Sequence, residues 1–418
     1  MSLTLDSKEV IDRRLWPDVA VTPDRPIRAL VARRLVRRAL KTLPLRVTTA
    51  DGRQFGAGGP NDPSLHLVRP DAFYQRLGAG GLIGFGESFM AGDWVADDVV
   101  GVLTVLARRL EKLVPPLLQR FRGLAVHARP GADRNTVDGA RENIHRHYDL
   151  SNELFSLFLD PTMTYSSALF DANRPYDEQD LAEAQQRKAD RLLDIAGVRA
   201  GSRVVEIGTG WGELAIRAAA RGAQVTTTTI SHEQAQLARQ RIADAGYADR
   251  VDVREQDYRD VTGEYDALIS VEMIEAVGSD YWPEYFQTIE RLLAPGGRAA
   301  LQAITMPHDR MLASAHTYTW ILKYIFPGGQ IPSVTAVTEH SQRAGLRVST
   351  RFAFGADYAE TLRRWRARFE ECADEVDRLG FDSIFRKMWS LYLAYSEAGF
   401  RSGYLDVVGF ELTKPGSR

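Results

Sequence analysis

The sequence predicts an α/β protein with a doubly wound parallel sheet and a smaller α+β N-terminal domain. Strand-like and helix-like segments alternate from about residue 140, a glycine-rich turn follows the first of these strands, and the composition changes near residues 123–140. Such alternation is typical of a parallel sheet with helices on both faces. We therefore predict an N-terminal domain over 1–125, a linker over 126–140 and a second domain over 141–418.

Length and composition support a soluble folded enzyme or binding protein. The 418 residues suit two domains, and 44% hydrophobic with 26% charged residues exclude a largely disordered chain. The single cysteine, Cys372, excludes an internal disulfide and favours a reducing cytoplasm. A net charge of -2 argues against a general nucleic-acid binder. No signal peptide and no apolar run of about 18 residues is found, so we expect a soluble or peripheral protein.

The N-terminal segment is basic. Residues 1–46 hold eleven Lys and Arg against five Asp and Glu, a local net charge of +6, and Pro26–Leu43 has no acid. Its apolar residues recur at helical spacing, with arginines largely on the other side: Ile27, Leu30, Val31, Leu35, Val36 and Leu40, against Arg33, Arg34, Arg37 and Arg38. Such a helix can lie on an anionic bilayer. It can equally pack its apolar face into a core and leave its arginines solvated, and both interpretations stay open.

The remainder of the N-terminal domain alternates short strand-like and Gly-rich pieces. We expect strands at Leu45–Thr49 and Ser64–Val68, a Gly-rich piece at Gly78–Gly86, and a helix over Asp97–Leu110. In the second domain we expect five strands and three helices. The strands are Arg203–Ile207, Gln224–Thr229, Val251–Glu255, Tyr265–Val271 and Arg298–Ile304, and the helices are Gly212–Arg221, His232–Ala245 and Trp282–Leu293.

A glycine-rich turn follows the first strand of the second domain, in the segment Val204–Gly212. Glycine allows positive φ and close approach of a ligand to the backbone, and ligands of doubly wound sheets bind at the carboxyl ends of the strands. The G-T-G-W-G spacing differs from G-x-G-x-x-G, and Thr229–Ser231 lacks the acid that usually holds an NAD ribose. A dehydrogenase is therefore disfavoured, and Gln256-Asp257 after the third strand is a candidate to contact an adenine.

Several motifs carry a family resemblance. Glu206, Gly208 and Gly210 followed by Gln256-Asp257 resemble the motifs of class I S-adenosylmethionine methyltransferases, which implies a Rossmann-like sheet with helical insertions. Further segments, over roughly 60–410, resemble the cyclopropane-fatty-acyl-phospholipid synthase family. They are Gly84–Trp94, Asn143–Asn152, Asp160–Ala168, Val271–Gly278, Lys323–Gly329 and Phe354–Tyr358.

The resemblance implies methyl transfer from S-adenosylmethionine to a cis double bond of a phospholipid acyl chain. Methyl transfer first gives a carbocation intermediate, which aromatic faces can stabilise. A base then removes a proton from it. Loss of that proton gives a cyclopropane or, after a hydride shift, a methylene branch. The segment Gln302–His308 resembles the actinobacterial branch that makes 10-methylene precursors of tuberculostearic acid. The aromatic candidates are Tyr148, Tyr165, Tyr318, Tyr324, Phe326 and Tyr358.

The resemblance also implies roles for individual residues. Those expected to bind the cofactor are Glu206, Gly208 and Gly210 in the turn, Thr229, Ser231 and Gln234 at the ribose, Asp257 and Tyr258 at the adenine, and Tyr165 and Ser166 at the methionine end. No metal is expected, because His145, His147 and His308 lack a ligand spacing.

The catalytic base implied by the resemblance is a bicarbonate ion, held by Glu275, Tyr358 and the backbone amide of Ile304. Ser167 stands where a Cys is usual and Gln302 where many members have His. Both side chains can bond an oxyanion, but neither is a base at neutral pH. Tyr324 is a further catalytic candidate, from the aromatic set.

The expected partners are an unsaturated phospholipid bilayer and a reductase acting on a methylene product, with a homo-oligomeric enzyme on the inner face of the membrane. Two alternatives stay open beside the lipid enzyme. A methyltransferase of a soluble small molecule would turn over without lipid vesicles, and a silent membrane-binding module would not bind S-adenosylmethionine.

Overall fold

The computed structural model describes residues 11–109, 151–315 and 317–416. Its helices are α1 Pro17–Ala20, α2 Pro26–Leu40, α3 Pro70–Gly80, α4 Leu82–Met90, α5 Val99–Arg108, α6 Asn152–Phe158, α7 Leu181–Ile195, α8 Glu213–Ala220, α9 His232–Asp244, α10 Ile274–Val277, α11 Trp282–Leu292, α12 His308–Ser314, α13 Trp320–Tyr324, α14 Val334–Arg343, α15 Gly355–Glu371, α16 Ala373–Arg378 and α17 Ser383–Arg401. Its strands are β1 Arg46–Thr49, β2 Gln54–Phe55, β3 Ser64–Leu67, β4 Trp94–Ala96, β5 Arg203–Ile207, β6 Gln224–Thr229, β7 Val251–Glu255, β8 Tyr265–Val271, β9 Leu293–Thr305, β10 Arg347–Ala353 and β11 Asp406–Thr413.

The chain divides into two compact units that interleave along the sequence. The first comprises Met1–Arg129, His316–Ile325 and Phe369–Tyr404, and the second comprises Pro130–Ala315, Phe326–Arg368 and Leu405–Arg418. Two segments that the sequence assigns to the second domain, 316–325 and 369–404, therefore group with the N-terminal residues. The expected linker at 126–140 lies outside the described residues.

The first unit contains a small sheet in the order β2-β1-β3-β4, in which only β1 and β3 are parallel. Proline occupies the first position of α2 and of α3, where its missing N–H costs no helical hydrogen bond. Both predicted strands and the predicted helix α5 are present, within two residues of their expected bounds. This part of the chain is thus α+β, as the sequence predicts.

The Gly-rich piece at Gly78–Gly86 is helical, in contrast to its expected place among short strands. It spans the end of α3 and the start of α4, with a single break at Gly81, where φ is 56°. A Cβ atom on Gly84 would lie 1.9 Å from the carbonyl oxygen of Arg76. Glycine is therefore required here because the two helices pack backbone against backbone.

Helix α2 exposes part of its apolar face. Ile27 is 80% exposed and Leu30 and Val31 about half, whereas Leu40 is buried. Arg33 lies over the ring of Tyr74, 5.7 Å from its centroid. This arginine, expected on the solvated side, therefore packs against an aromatic ring. The helix therefore exposes apolar side chains in its N-terminal half and exposes Arg28, Arg34, Arg37 and Arg38 along its length. No helix in the described part of the chain is long and apolar enough to cross a membrane.

The second unit is built on a seven-stranded sheet in the order β10-β11-β9-β8-β5-β6-β7. Strands β7, β6, β5, β8 and β9 are parallel, as predicted, while β11 runs antiparallel to both β9 and β10. Separate hydrophobic clusters cover the two faces, one including Phe286 of α11 and the other Ala215 of α8 and Ala235 of α9. The sheet is therefore doubly wound, and it brings four strand ends together at one edge.

Candidate active site

A cavity of about 170 Å³ lies at the carboxyl ends of β5, β6, β7 and β8. This is the edge at which doubly wound sheets bind ligands. Nine of the ten residues expected to bind a cofactor line it. They are Tyr165, Ser166, Glu206, Gly208, Gly210, Thr229, Gln234, Asp257 and Tyr258.

The glycine turn forms the floor of the cavity. Gly208, Gly210 and Gly212 have φ values of 94°, 51° and 90°, a region that side-chain-bearing residues rarely adopt. A Cβ atom on Gly208 would lie 2.8 Å from the side chain of Met273, whereas one on Gly210 would meet no atom within 4 Å. The space beside Gly210 is therefore open to a ligand.

The end of β6 and the start of α9 each present a polar side chain to the cavity, Thr229 and Gln234. Thr229 Oγ1 donates to Gln234 Oε1 at 3.0 Å, and Ser231 caps α9 by accepting from the Gln234 backbone N–H at 3.2 Å. Ser231 does not line the cavity. Its contact with the cofactor therefore remains a prediction, and its hydroxyl is bonded to the Gln234 backbone N–H and to the Glu233 carboxylate.

Asp257 is held in place by its neighbour. Arg259 donates from Nη2 to Asp257 Oδ2 at 2.7 Å and from Nε to Oδ1 at 2.9 Å. The guanidinium also lies 5.6 Å from the ring centroid of Tyr258, whose edge packs on Tyr285. Burial raises the pKa of Tyr258. The paired carboxylate and the aromatic ring thus form one fixed wall after β7.

Lys188 is a polar residue of the cavity that the sequence motifs do not indicate. Its Nζ donates to Ser166 Oγ at 2.6 Å, and burial lowers its pKa to about 8. Buried Glu206 accepts from Thr227 Oγ1 at 2.6 Å, and burial raises its pKa to about 8. A signal was available in α7, because Lys188 stands four residues after buried Ala184, on the face expected to be apolar.

Glu272 is a second residue without an assigned role in the sequence analysis. It follows the last residue of β8, lines the cavity and has a positive φ of 53°. Its Oε1 accepts from the Ser167 backbone N–H at 2.9 Å and from Gln302 Nε2 at 2.8 Å, and its Oε2 accepts from the Tyr358 hydroxyl at 2.8 Å. Three predicted catalytic residues are thus brought together on a residue that was not predicted.

Glu275 and Ile304 form the adjacent part of this cluster. The Ile304 backbone N–H donates to Glu275 Oε1, while no partner of the buried Oε2 is found among the described residues. Burial and the nearby Glu272 carboxylate raise the pKa of Glu275 to about 8. Two carboxyl groups this close cannot both ionise freely, so one of them retains a proton near neutral pH.

Aromatic side chains of the second unit pack together next to the Glu272 cluster and form an aromatic wall. Tyr165 stacks on buried Trp365 with ring centroids 5.3 Å apart, and Tyr358 meets the same indole edge-on at 6.1 Å. Tyr324 belongs to the first unit, where its hydroxyl donates to Glu87 at 2.9 Å. The candidate Tyr148 lies outside the described residues. Trp365 stands outside every sequence motif and was not predicted.

The chain is similar to known enzymes. A family model described as "Mycolic acid cyclopropane synthetase" matches residues 136–410. The chain is 54% identical over 413 residues to Tuberculostearic acid methyltransferase UfaA1 of Mycobacterium tuberculosis (strain ATCC 25618 / H37Rv), with 97% of each chain covered. It is 32% identical over 349 residues to the Cyclopropane-fatty-acyl-phospholipid synthase of Escherichia coli (strain K12), which covers 82% of this chain and 86% of the relative.

The fold is similar to that of solved structures. The crystal structure of mycolic acid cyclopropane synthase CmaA1 complexed with SAH and CTAB matches with a TM-score of 0.60 and 30% identity. The match covers 66% of this chain and 98% of that one. The family match spans the cavity, the Glu272 cluster and the aromatic wall.

Proposed function

Because the chain belongs to the mycolic acid cyclopropane synthetase family, we propose that it transfers the methyl carbon of S-adenosylmethionine to a cis double bond in a phospholipid acyl chain. The predicted class I methyltransferase fold is confirmed, and the chain is an S-adenosylmethionine-dependent enzyme. The observation that carries the lipid reaction is the acidic and aromatic cluster beside the cavity at the carboxyl ends of the parallel strands. Nearly full-length similarity to a tuberculostearic acid methyltransferase supports a 10-methylene branch as the product.

The residues of the cavity fit S-adenosylmethionine. The open space at Gly210 allows a ligand to approach the backbone, while Gln234, Asp257 and Tyr258 offer polar and aromatic contacts for the ribose and adenine. Tyr165 and Ser166 also line the cavity and would contact the methionine end, with Lys188 donating to Ser166 Oγ at 2.6 Å. When bound, the cofactor supplies an electrophilic methyl group on a sulfonium.

The chain's own residues would then control a carbocation on the acyl chain. A new C–C bond forms to one alkene carbon as the C–S bond breaks, which leaves the positive charge on the other alkene carbon. The faces of Tyr165 and Tyr358, supported by Trp365, can stabilise this charge. A hydride shift to that carbon followed by loss of a methyl proton gives the methylene branch, whereas direct proton loss gives the cyclopropane.

Bicarbonate, the base implied by the family resemblance, does not fit this cluster. Its expected holders are already bonded to carboxylates of the chain, since Tyr358 donates to Glu272 and the Ile304 amide donates to Glu275. A further anion here would meet a fixed carboxylate in a buried site, which electrostatic repulsion opposes. Bicarbonate therefore has no part in the reaction proposed for this chain.

The exposed face of α2 supports peripheral binding to the inner face of the membrane. Ile27, Leu30 and Val31 present apolar side chains to solvent beside exposed Arg34 and Arg38. Apolar insertion combined with basic residues is the usual chemistry of helices that lie on anionic lipid.

The methylene product would be consumed by a reductase, because its conversion to a methyl branch adds two electrons and two protons.

The reaction is tested by incubating the protein with S-adenosylmethionine and oleoyl phospholipid vesicles, followed by mass spectrometry of the released fatty acids. Cyclopropane and methylene products each gain one CH2 and are isomers, so the sample is also treated with ozone, which cleaves only the alkene. We expect a product that ozone cleaves at the branch. Turnover of a soluble acceptor without any lipid product would contradict the proposal.

The membrane surface is tested by vesicle flotation with a matched pair of variants. Leu30→Ser with Val31→Ser removes two apolar side chains from α2, and Leu312→Ser with Leu379→Ser removes two similarly exposed ones elsewhere. We expect only the α2 variant to lose binding to anionic vesicles, by about tenfold or more, since each buried apolar side chain contributes about 1–2 kcal/mol. Equal binding by both variants would exclude this face.

A further inference from the structure

Glu272 places a carboxylate at the centre of the donor cluster. It bonds the Ser167 amide and the Gln302 side chain through one oxygen and the Tyr358 hydroxyl through the other. These are donors that a planar, bound oxyanion would require. The chain therefore supplies from its own sequence the group that the family resemblance assigns to an added ion.

The backbone at Glu272 is held in an unusual conformation. A positive φ of 53° is rare and strained for a residue that carries a long side chain. The conformation is fixed by a hydrogen bond from the Glu272 backbone N–H to the Gln302 carbonyl oxygen at 2.8 Å. Such strain persists where the surrounding structure imposes it, and it is common at functional sites.

We propose that Glu272 is the general base that removes the proton from the methylated acyl chain, in place of bicarbonate. This inference rests on the proposed function. Glu272 lines the cavity next to the predicted cofactor residues, whereas Glu275 is turned to the Ile304 amide. Glu272 directly follows β8, and Glu275 lies in the short helix α10 that comes next.

The protonation states of the two carboxyl groups agree with this assignment. The pKa of Glu275 is raised to about 8 by burial and by Glu272, so Glu275 keeps its proton near neutral pH. Burial also raises the pKa of Glu272, against the effect of its three donors and of Lys188. The pair then carries one negative charge, located on the carboxylate with three donors, and a raised pKa makes that carboxylate a stronger base.

In the proposed step, the Glu272 carboxylate takes one proton from the transferred methyl group after the hydride shift. The C–H electron pair forms the second bond of the methylene group and cancels the positive charge of the chain. The products are the neutral alkene and protonated Glu272. Release of that proton to solvent restores the carboxylate for the next turnover.

The test compares Glu272→Gln and Glu272→Gly with the wild type in bicarbonate-free buffer. A general base contributes about 10²–10⁴ in rate, so we expect the turnover rate to fall by that factor in both variants. Binding of S-adenosylmethionine, measured by calorimetry, should change less than about threefold, which shows that the variants are folded. Glu264→Gln, at an exposed glutamate before β8, serves as the control and should retain the wild-type rate.

Chemical rescue separates a base from a structural residue. Glycine accepts positive φ and leaves a space in which the donors of Ser167, Gln302 and Tyr358 remain. Added formate or bicarbonate should therefore raise the turnover rate of Glu272→Gly by at least tenfold. The turnover rate of Glu272→Gln should not change. The proposal is overturned if either variant keeps the wild-type rate, if rescue fails in a variant that binds the cofactor, or if the wild type itself requires bicarbonate. A wild type that forms no lipid product contradicts the proposed function instead.

Discussion

Substitution of Gly210 by alanine should separate cofactor binding from fold stability. The residue has a φ of 51°, and its added Cβ would meet no protein atom within 4 Å. The left-handed backbone costs an alanine about 1–2 kcal/mol, and reduced freedom of the unfolded chain returns about 0.4–1 kcal/mol. The net loss of stability should therefore lie between about 0 and 1.6 kcal/mol, which lowers the melting temperature of a unit of this size by at most about 6 °C.

The methyl group would instead occupy space in the cavity against which a ligand packs. We expect the dissociation constant of S-adenosylmethionine to rise by at least tenfold, equivalent to about 1.4 kcal/mol. The matched control is Gly246→Ala, which has a φ of 79°, is exposed and also meets no atom within 4 Å. Calorimetric titration and thermal melting of both variants give the two quantities independently.

Two outcomes would refute this reasoning. If Gly210→Ala binds the cofactor as tightly as the control, the ligand does not approach the backbone at this turn. If both variants lose affinity equally, backbone strain rather than occupied space causes the loss. A melting temperature reduced in Gly210→Ala alone would show that the space beside it is required by the protein itself.

Two stability predictions follow from buried charges. Arg76→Met should lower the free energy of unfolding, measured in urea, by about 3–5 kcal/mol, because Arg76 pairs with fully buried Asp93 at 3.0 Å. Arg69 is a half-exposed partner of the same carboxylate, so Arg69→Met should lower the free energy of unfolding by about 1 kcal/mol. Equal losses in the two variants would contradict this prediction. Glu206 has a pKa raised by burial from 4.5 to about 8, so the folded state binds its proton more tightly than the unfolded state. The stability that Glu206 contributes is complete below pH 4.5 and is lost as the pH rises to 8. The free energy of unfolding of Glu206→Gln should therefore rise, relative to that of the wild type, by on the order of a few kcal/mol between pH 5 and pH 8. A difference that stays constant with pH would refute the assignment.

The sheet of the second unit could be predicted closely because its strands have simple patterns. Buried apolar residues mark β5 and β8, a run of β-branched residues marks β6, and alternating Val251 and Val253 mark β7, so all four strands could be predicted with their observed ends. The Gly78–Gly86 piece was predicted less well because glycine is typical both of turns and of helices in close contact. Only the position of Gly84 against the Arg76 backbone, a contact within the folded unit, distinguishes the two.

Most of the residues that line the cavity could be predicted from the motifs, but the arrangement of the cluster around Glu272 could not. Ser167, Gln302 and Tyr358 are far apart in sequence and converge on Glu272 only when the sheet forms. The sequence places Glu272 directly after a buried strand, which indicates the correct edge of the sheet and gives no partner. The family resemblance implies bicarbonate as the base, so it assigns no role to the carboxylate of Glu272.

The position of β11 has a consequence for the order in which the enzyme is assembled during synthesis. Eight residues of β11 pair with β9, and Gly409 is opposite Gln302. About 100 residues separate these strands in the sequence, so at a typical rate of translation β9 waits roughly 5–20 s for its outer neighbour. Until then β9 presents an unpaired edge, which is a hazard for aggregation. The strand that carries Gln302 gains its outer neighbour only when β11 has been synthesised, so until then the nascent chain holds the donor cluster on an unfinished sheet.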